Sequence, residues 1–377
     1  MVNRIPGEVP DDDGRIVRIH RAWPRRGGSL IVEGREIGSD RIRAGRIDAD
    51  GRASMVPFAH DPALPALSTE GSSGELLVHR LKRRAVVRSD GQYRKFIAGG
   101  KASAVAGAHL AAVKALAGSG LEVPDVVASD EHSVTLTAVP GMSLFELGRT
   151  SGAAIGTIAP DSSGGAGGAA LEAWERSWKL WADRWPQFVG GPATTAASMA
   201  ARGHSAADEV RTIERWLELG AFDALGVSEG RLRGVAAGVA KSLLADTSPA
   251  RLAHRDLHDK QILVDPDQGS VGIIDCDTLS IAEPALDLAN LSVHLDFRVA
   301  QNLLSAEAAA LGKQHIQETA WALEIPPARF EAYASATAIR LACIYAFRPP
   351  YRTVARTWFN DLEARLVTAS RAGGAHR

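Results

Sequence analysis

The chain has 377 residues, enough for a large core or for two lobes around a cleft. Hydrophobic residues make up 45% and charged residues 23%, and the formal net charge of -1 excludes a global electrostatic pull toward nucleic acid or an anionic membrane. The two cysteines, Cys276 and Cys343, lie far apart, and no signal-peptide pattern opens the chain; the most apolar window, 102 to 117, is interrupted by His109 and Lys114. These features predict a protein of the reducing cytoplasm that neither crosses a membrane nor binds nucleic acid.

Residues 14 to 58 alternate short β-branched runs with turn signals, from "GRIVRIHRAW" through "SLIVEGREI" to "RIRAGRIDADGRASMVPF", with Asp50-Gly51 at a hairpin tip. They predict a small β-rich leading module, followed over 61 to 74 by a Pro/Ser/Gly linker. Strands are expected within "LLVHRLKRRAVVRS" and "QYRKFIA", joined by Ser89-Asp90-Gly91, then a helix over about 102 to 117 stopped by Gly118 and Gly120. After one more strand, "SVTLTAV", Pro140-Gly141 breaks the pattern and the remainder reads mainly helical. The glycine-rich stretch 148 to 170 is expected to be a mobile loop. Trp174, Trp178, Trp181 and Trp185 recur at helical spacing and read as core.

The chemistry concentrates in "LAHRDLHDKQILVD", 252 to 265, and in the apolar run Gly272-Ile273-Ile274 that ends in Asp275, Cys276 and Asp277. Two short strands would each present oxygen ligands at one end. Phosphoryl transfer needs such parts: one carboxylate to receive the acceptor's hydroxyl proton, and further hard oxygens to hold Mg²⁺ against phosphates. Asp256 suits the first task, and Asp275 with Gln261 suits the second. No Walker-type phosphate loop, zinc array or G-x-S-x-G elbow is present in the sequence.

"HRDLHDKQIL" followed by "IIDCDTLSIAEPALDLANL" resembles the aminoglycoside phosphotransferase and choline kinase family of small-molecule kinases. The resemblance covers roughly residues 75 to 365. It implies an α+β, kinase-like bilobal fold: a leading module and linker over 1–74, a β-rich N-lobe over 75–139, and a mainly helical C-lobe over 140–377. It implies Asp256 as catalytic base, Gln261 and Asp275 as Mg²⁺ ligands with Asp277 at the second acidic position, and Asp287 as a brace. It places Lys95 on the ATP phosphates and Val139 in the hinge beside the adenine. The implied reaction moves the γ-phosphate of ATP to a hydroxyl of a small molecule of the aminoglycoside, amino alcohol or sugar class, in a pocket built by the helical insert 148 to 230. The alternative is a nucleotide-binding pseudokinase whose leading module recruits a protein partner.

Three departures from the family pattern stand out. The helix after Lys95 contains no glutamate to anchor the lysine, its polar residues being Ser103, His109 and Lys114. Gln261 replaces asparagine, moving the ligating oxygen by up to ~1.5 Å, one C–C bond. No glycine-rich turn precedes Lys95.

Overall fold

The structure is a computed structural model and describes residues 5–71, 73–156, 166–191 and 203–374. Its first sheet is an antiparallel meander of β1 (Glu8–Pro10), β2 (Ile16–Pro24), β3 (Leu30–Glu36), β4 (Ile42–Ile47) and β5 (Ala53–Met55). Alternation along β2 buries Val17 and Ile19, while Ile16 and Arg18 face out. A bulge at His20 then shifts the register between Ile19 and Arg21.

The described residues of 61 to 74, expected as a linker, are packed instead. Leu64 and the short helix α1 (Leu67–Glu70) bury into the edge of the second sheet. Asp61 is held by His79 Nε2 at 3.1 Å and by the Lys82 amide at 2.7 Å. A buried carboxylate needs such donors, so this segment cannot swing freely.

The second sheet has strand order β10-β11-β8-β7-β6 and comprises β6 (Glu75–Arg80), β7 (Arg84–Ser89), β8 (Gln92–Ile97), β10 (Val126–Ser129) and β11 (Ser133–Thr137). Helix α2 (Ala102–Leu116) covers part of it through Ala102 and Ala106, which pack on Val134 and Leu136. In β8 the side chains of Tyr93, Lys95 and Ile97 face a cleft, whereas Arg94 turns to Asp130 at 3.1 Å and Ser133 at 3.0 Å. That alternation rules out Arg94 as a cleft residue.

Past Pro140, Gly141 adopts φ +98°, and a Cβ there would lie 2.6 Å from the Val264 carbonyl carbon. Only glycine fits this crossing between the sheet and the helical part. A small sheet follows, ordered β12-β14-β15-β9, from β9 (Leu121–Glu122), β12 (Met142–Ser143), β14 (Ile262–Asp265) and β15 (Ser270–Ile273); β13 (Arg251–Ala253) pairs with β16 (Ser280–Ala282).

The helices are α3 (Leu144–Gly156), α4 (Ala166–Val189), α5 (Ala206–Glu218), α6 (Ala221–Leu225), α7 (Glu229–Leu244), α8 (Ala285–Ala300), α9 (Ala306–Ala322), α10 (Pro327–Ala346) and α11 (Arg352–Gly374). The loop expected over 148 to 170 is thus helical through Gly156 and again from Ala166, and 157–165 lie outside the described residues. The tryptophans of α4 are core, each at most 1% exposed, with neighbouring rings 5.5 to 5.8 Å apart. Edge-to-face and stacked pairs of this kind fill space tightly. No described helix is long and apolar enough to cross a membrane.

The leading sheet docks on this same chain. The Ala22 amide donates to the Phe347 carbonyl at 2.8 Å, the His79 amide donates to Glu33 at 2.8 Å, and the Arg80 guanidinium lies 4.7 Å from the Trp23 ring centre. It therefore bridges the strand-rich and helical parts at one end of the cleft.

Candidate active site

The loop from His254 to Gln261 connects β13 to β14 and is fixed from beneath. Asp287, in the first turn of α8, accepts the amides of His254 and Arg255, both at 2.7 Å. His254 Nε2 donates to the Ile274 carbonyl at 2.9 Å, a tautomer set by a partner that can only accept. Asn290 donates to the Leu257 carbonyl at 2.7 Å, and Arg255 is held at φ +73°. A non-glycine residue in that region costs on the order of 1 kcal/mol and persists where its surroundings enforce it. Asp256 is thereby presented to the cleft with its side chain 47% exposed, its nearest cation being Arg340 at 3.9 Å. Burial pushes the Asp287 carboxyl up to about 6, against the pull of His254 and the two amides.

A second cluster forms where β15 ends. Lys95 Nζ donates to Asp275 Oδ1 and to Asp277 Oδ1, both at 2.7 Å. His109 of α2 meets Asp277 Oδ1 at 2.9 Å. Burial opposes the charge on Asp275, but the Lys95 ammonium outweighs it and holds the carboxyl well below the usual range. Burial likewise opposes the Lys95 charge, and the two aspartates raise its pKa. The glutamate missing from α2 therefore leaves no unpaired lysine: two aspartates anchor it, and the histidine of α2 touches one of them. Asp275 itself sits at φ +63°, turning its carboxylate away from the line of β15.

Gln261 is 5% exposed, and its Oε1 is a buried acceptor with no partner among the described residues. An orphaned buried carbonyl oxygen lining the same cleft as two carboxylates fits a hard cation. Among the described residues no three His, Cys, Asp or Glu side chains form a metal cage. A partial set of oxygens suits Mg²⁺, which fills its remaining positions with phosphate and water.

These groups line one cleft of about 570 Å³. Val78, Ala85, Val86, Leu136 and Val139 give it an apolar wall under the second sheet, while Lys95, Arg84, Gln261, Asp275 and Asp277 form its polar middle. Val139, Lys95, Asp256, Gln261, Asp275 and Asp277 are thus brought together as candidates. The far end differs from expectation. No described residue of 148 to 230 lines the cleft; Arg21, Lys260, Arg298, Arg340, Tyr345 and Arg348 do. The insert instead spends its apolar face on the core, Trp174, Trp178, Trp181 and Trp185 included. Sequence reading missed these cationic residues, which come from β2, the loop, α8 and α10 with its exit, and bear no shared local pattern.

A profile of the phosphotransferase enzyme family matches residues 77–322. No curated protein matches the chain. Among solved structures, a glucosamine kinase in complex with glucosamine, ADP and inorganic phosphate aligns over 96% of this chain and 97% of its own, with 14% identity and a TM-score of 0.50. A thermostable mutant of aminoglycoside phosphotransferase APH(4)-Ia, in apo form, aligns over 79% and 94%, with 13% identity and a TM-score of 0.50. At such identities the likeness speaks for the fold, which in the first case takes in the leading sheet as well. With a profile match over more than half its length, the chain belongs to the phosphotransferase enzyme family, and its fold is a kinase-like α+β one.

Proposed function

We propose that this enzyme transfers the γ-phosphate of ATP to a hydroxyl of a small molecule. The observation that carries the reading is a single cleft in which a braced loop carboxylate, Asp256, faces the Lys95–Asp275 pair. Lys95 would exchange an aspartate for phosphate oxygens, placing fixed positive charge where negative charge accumulates in transfer. Asp256, more exposed than the other two aspartates of the cleft, would orient the acceptor hydroxyl and receive its proton. Gln261 and Asp275, with Asp277 beside them, are the residues that would hold Mg²⁺. When bound, such an ion would supply positive charge against the negative charge of the phosphates. Val139 and the apolar wall suit a nucleotide base.

The pseudokinase alternative, with the leading module as a partner-recruiting element, rests on the missing α2 glutamate and on Gln261 in place of asparagine. The double anchor of Lys95 and the docking of that module on Phe347 favour the enzyme. The test is ATP consumption by the full-length protein with Mg²⁺ over a panel of sugars, amino sugars, hydroxy acids and aminoglycosides. Turnover that vanishes in Asp256→Asn supports the reading; no acceptor-dependent turnover together with no Mg·ATP binding refutes it.

A further inference from the structure

The cleft is unevenly charged. Seven arginines and lysines line it against three aspartates. Lys95 and Arg84 face Asp275 and Asp277 in its middle, which leaves Asp256 as the carboxylate lining the end where Arg21, Lys260, Arg298, Arg340 and Arg348 converge.

Three of those five cations have acids behind them. Arg298 is paired with Asp259 at 2.8 and 3.0 Å, Arg21 with Glu33 at 3.4 Å, and Arg340 lies 3.9 Å from Asp256 and 4.0 Å from Glu209. Among the described residues, Arg348 and Lys260 have no carboxylate within ion-pair distance. Arg348 stacks on Tyr345 at 3.9 Å, and Lys260 stands 4.1 Å from the centre of the Phe145 ring. These aromatic contacts help to hold the two cations, both of which line the cleft. The surroundings of Arg348 work against its charge: burial first, then Arg21 and Arg298, lower its pKa.

We propose that the acceptor carries, besides the hydroxyl that receives phosphate, an anionic group, a carboxylate or a phosphate, bound by Arg348 with Lys260 and Arg21 beside it. A carboxylate or phosphate matches the planar fork of a guanidinium, and half-buried Arg348 and exposed Lys260, neither ion-paired to a carboxylate among the described residues, would gain from such a partner. The same field repels an amine: like charges near ~4 Å at an effective dielectric of about 20 oppose each other by several kT. An ammonium-rich acceptor is therefore disfavoured, and a neutral sugar leaves the two cations unmatched. The bulge at His20 gives the leading sheet a part in this site, because the register shift after Ile19 sets the strand phase at which Arg21 reaches the cleft.

This inference rests on the phosphotransferase reading of the same cleft, so its test reads the two ends separately. The unfolding midpoint of the full chain is measured at constant ionic strength with gluconate, glucuronate, glucose 6-phosphate, glucose and glucosamine, and independently with Mg·ATP. At least one acid should raise the midpoint with an apparent affinity 10-fold or more tighter than glucose or glucosamine. That preference should fall at least 10-fold in Arg348→Gln and also in Arg21→Gln, a change on a separate element. The Mg·ATP-induced shift reports that each variant is folded. Equal or better response to glucosamine or glucose, a response to acids that both variants retain, or no response to any acid overturns the anionic acceptor. Loss of the Mg·ATP shift in the wild-type chain would instead strike the nucleotide reading, so the two failures are distinguishable.

Discussion

Lys95 and Asp275 are 180 residues apart in the chain and meet at 2.7 Å between the second sheet and the end of β15. With Asp277 at the same distance, one ammonium separates two carboxylates that would otherwise repel each other. Lys95→Met removes that charge from both ground and transition state. It should raise the Michaelis constant for ATP and lower turnover, together reducing kcat/KM by on the order of 10²-fold. Steady-state kinetics in ATP check this, and unchanged values would move the role to Arg84, which lines the same cleft.

Asp256 and Asp275 should separate cleanly. Asp256→Asn keeps shape and removes the base, so Mg·ATP still binds while transfer falls by on the order of 10²-fold or more. Asp275→Ala removes the metal anchor and weakens Mg²⁺-dependent nucleotide binding as well. Calorimetry of ATP with and without Mg²⁺, beside turnover, distinguishes them. Normal Mg·ATP binding by Asp275→Ala would end its assignment as a ligand.

Gln261 brings its oxygen to the site on a longer arm than asparagine would. Mg²⁺ asks for a near-ideal octahedron and Mn²⁺ tolerates more, so Mn²⁺ should support turnover at least as well as Mg²⁺. Gln261→Leu, which deletes the orphaned Oε1, should raise the metal concentration needed for half-maximal rate by about 10-fold. An enzyme inactive with Mn²⁺, or indifferent to Gln261→Leu, would show that this side chain is not a ligand.

Much of this site could be read from residues close together in sequence. Lys95 is placed by the family resemblance of its strand, and Asp256, Gln261, Asp275 and Asp277 fall within two short motifs whose strand-and-loop pattern is local. The Trp174–Trp185 spacing announced a buried face for the same reason. Contacts across long separations had no such signal. Nothing near His109 indicates that it meets Asp277, 168 residues away. Arg21 and Arg348 come to one end of the cleft only because the Ala22 amide pairs with the Phe347 carbonyl. The packed course of 61 to 74 was hidden because turn-rich composition reads alike in a tether and in a segment pinned by buried Asp61 and Leu64.

The last prediction concerns acid sensitivity. His258 of the loop stacks on His294 of α8 with ring centres 4.8 Å apart, beside Arg298 and Arg340. Burial lowers His258 against the pull of Asp256 and Asp259, and burial with neighbouring His258, Arg298 and Arg340 holds His294 well below its ordinary 6.5. The folded pair therefore stays neutral where the unfolded chain binds protons. The stabilisation is fully present above pH 6.5, the unfolded value, and is lost as pH falls through the folded pKa values. Each histidine adds up to about 1.4 kcal/mol per pH unit within that window. Denaturant unfolding should thus show stability that is level just above the window and declines below it. His294→Gln removes one titrating ring and should make the decline shallower by about one proton's worth of slope. Parallel curves for wild type and His294→Gln would mean that other groups set the acid limit of this fold.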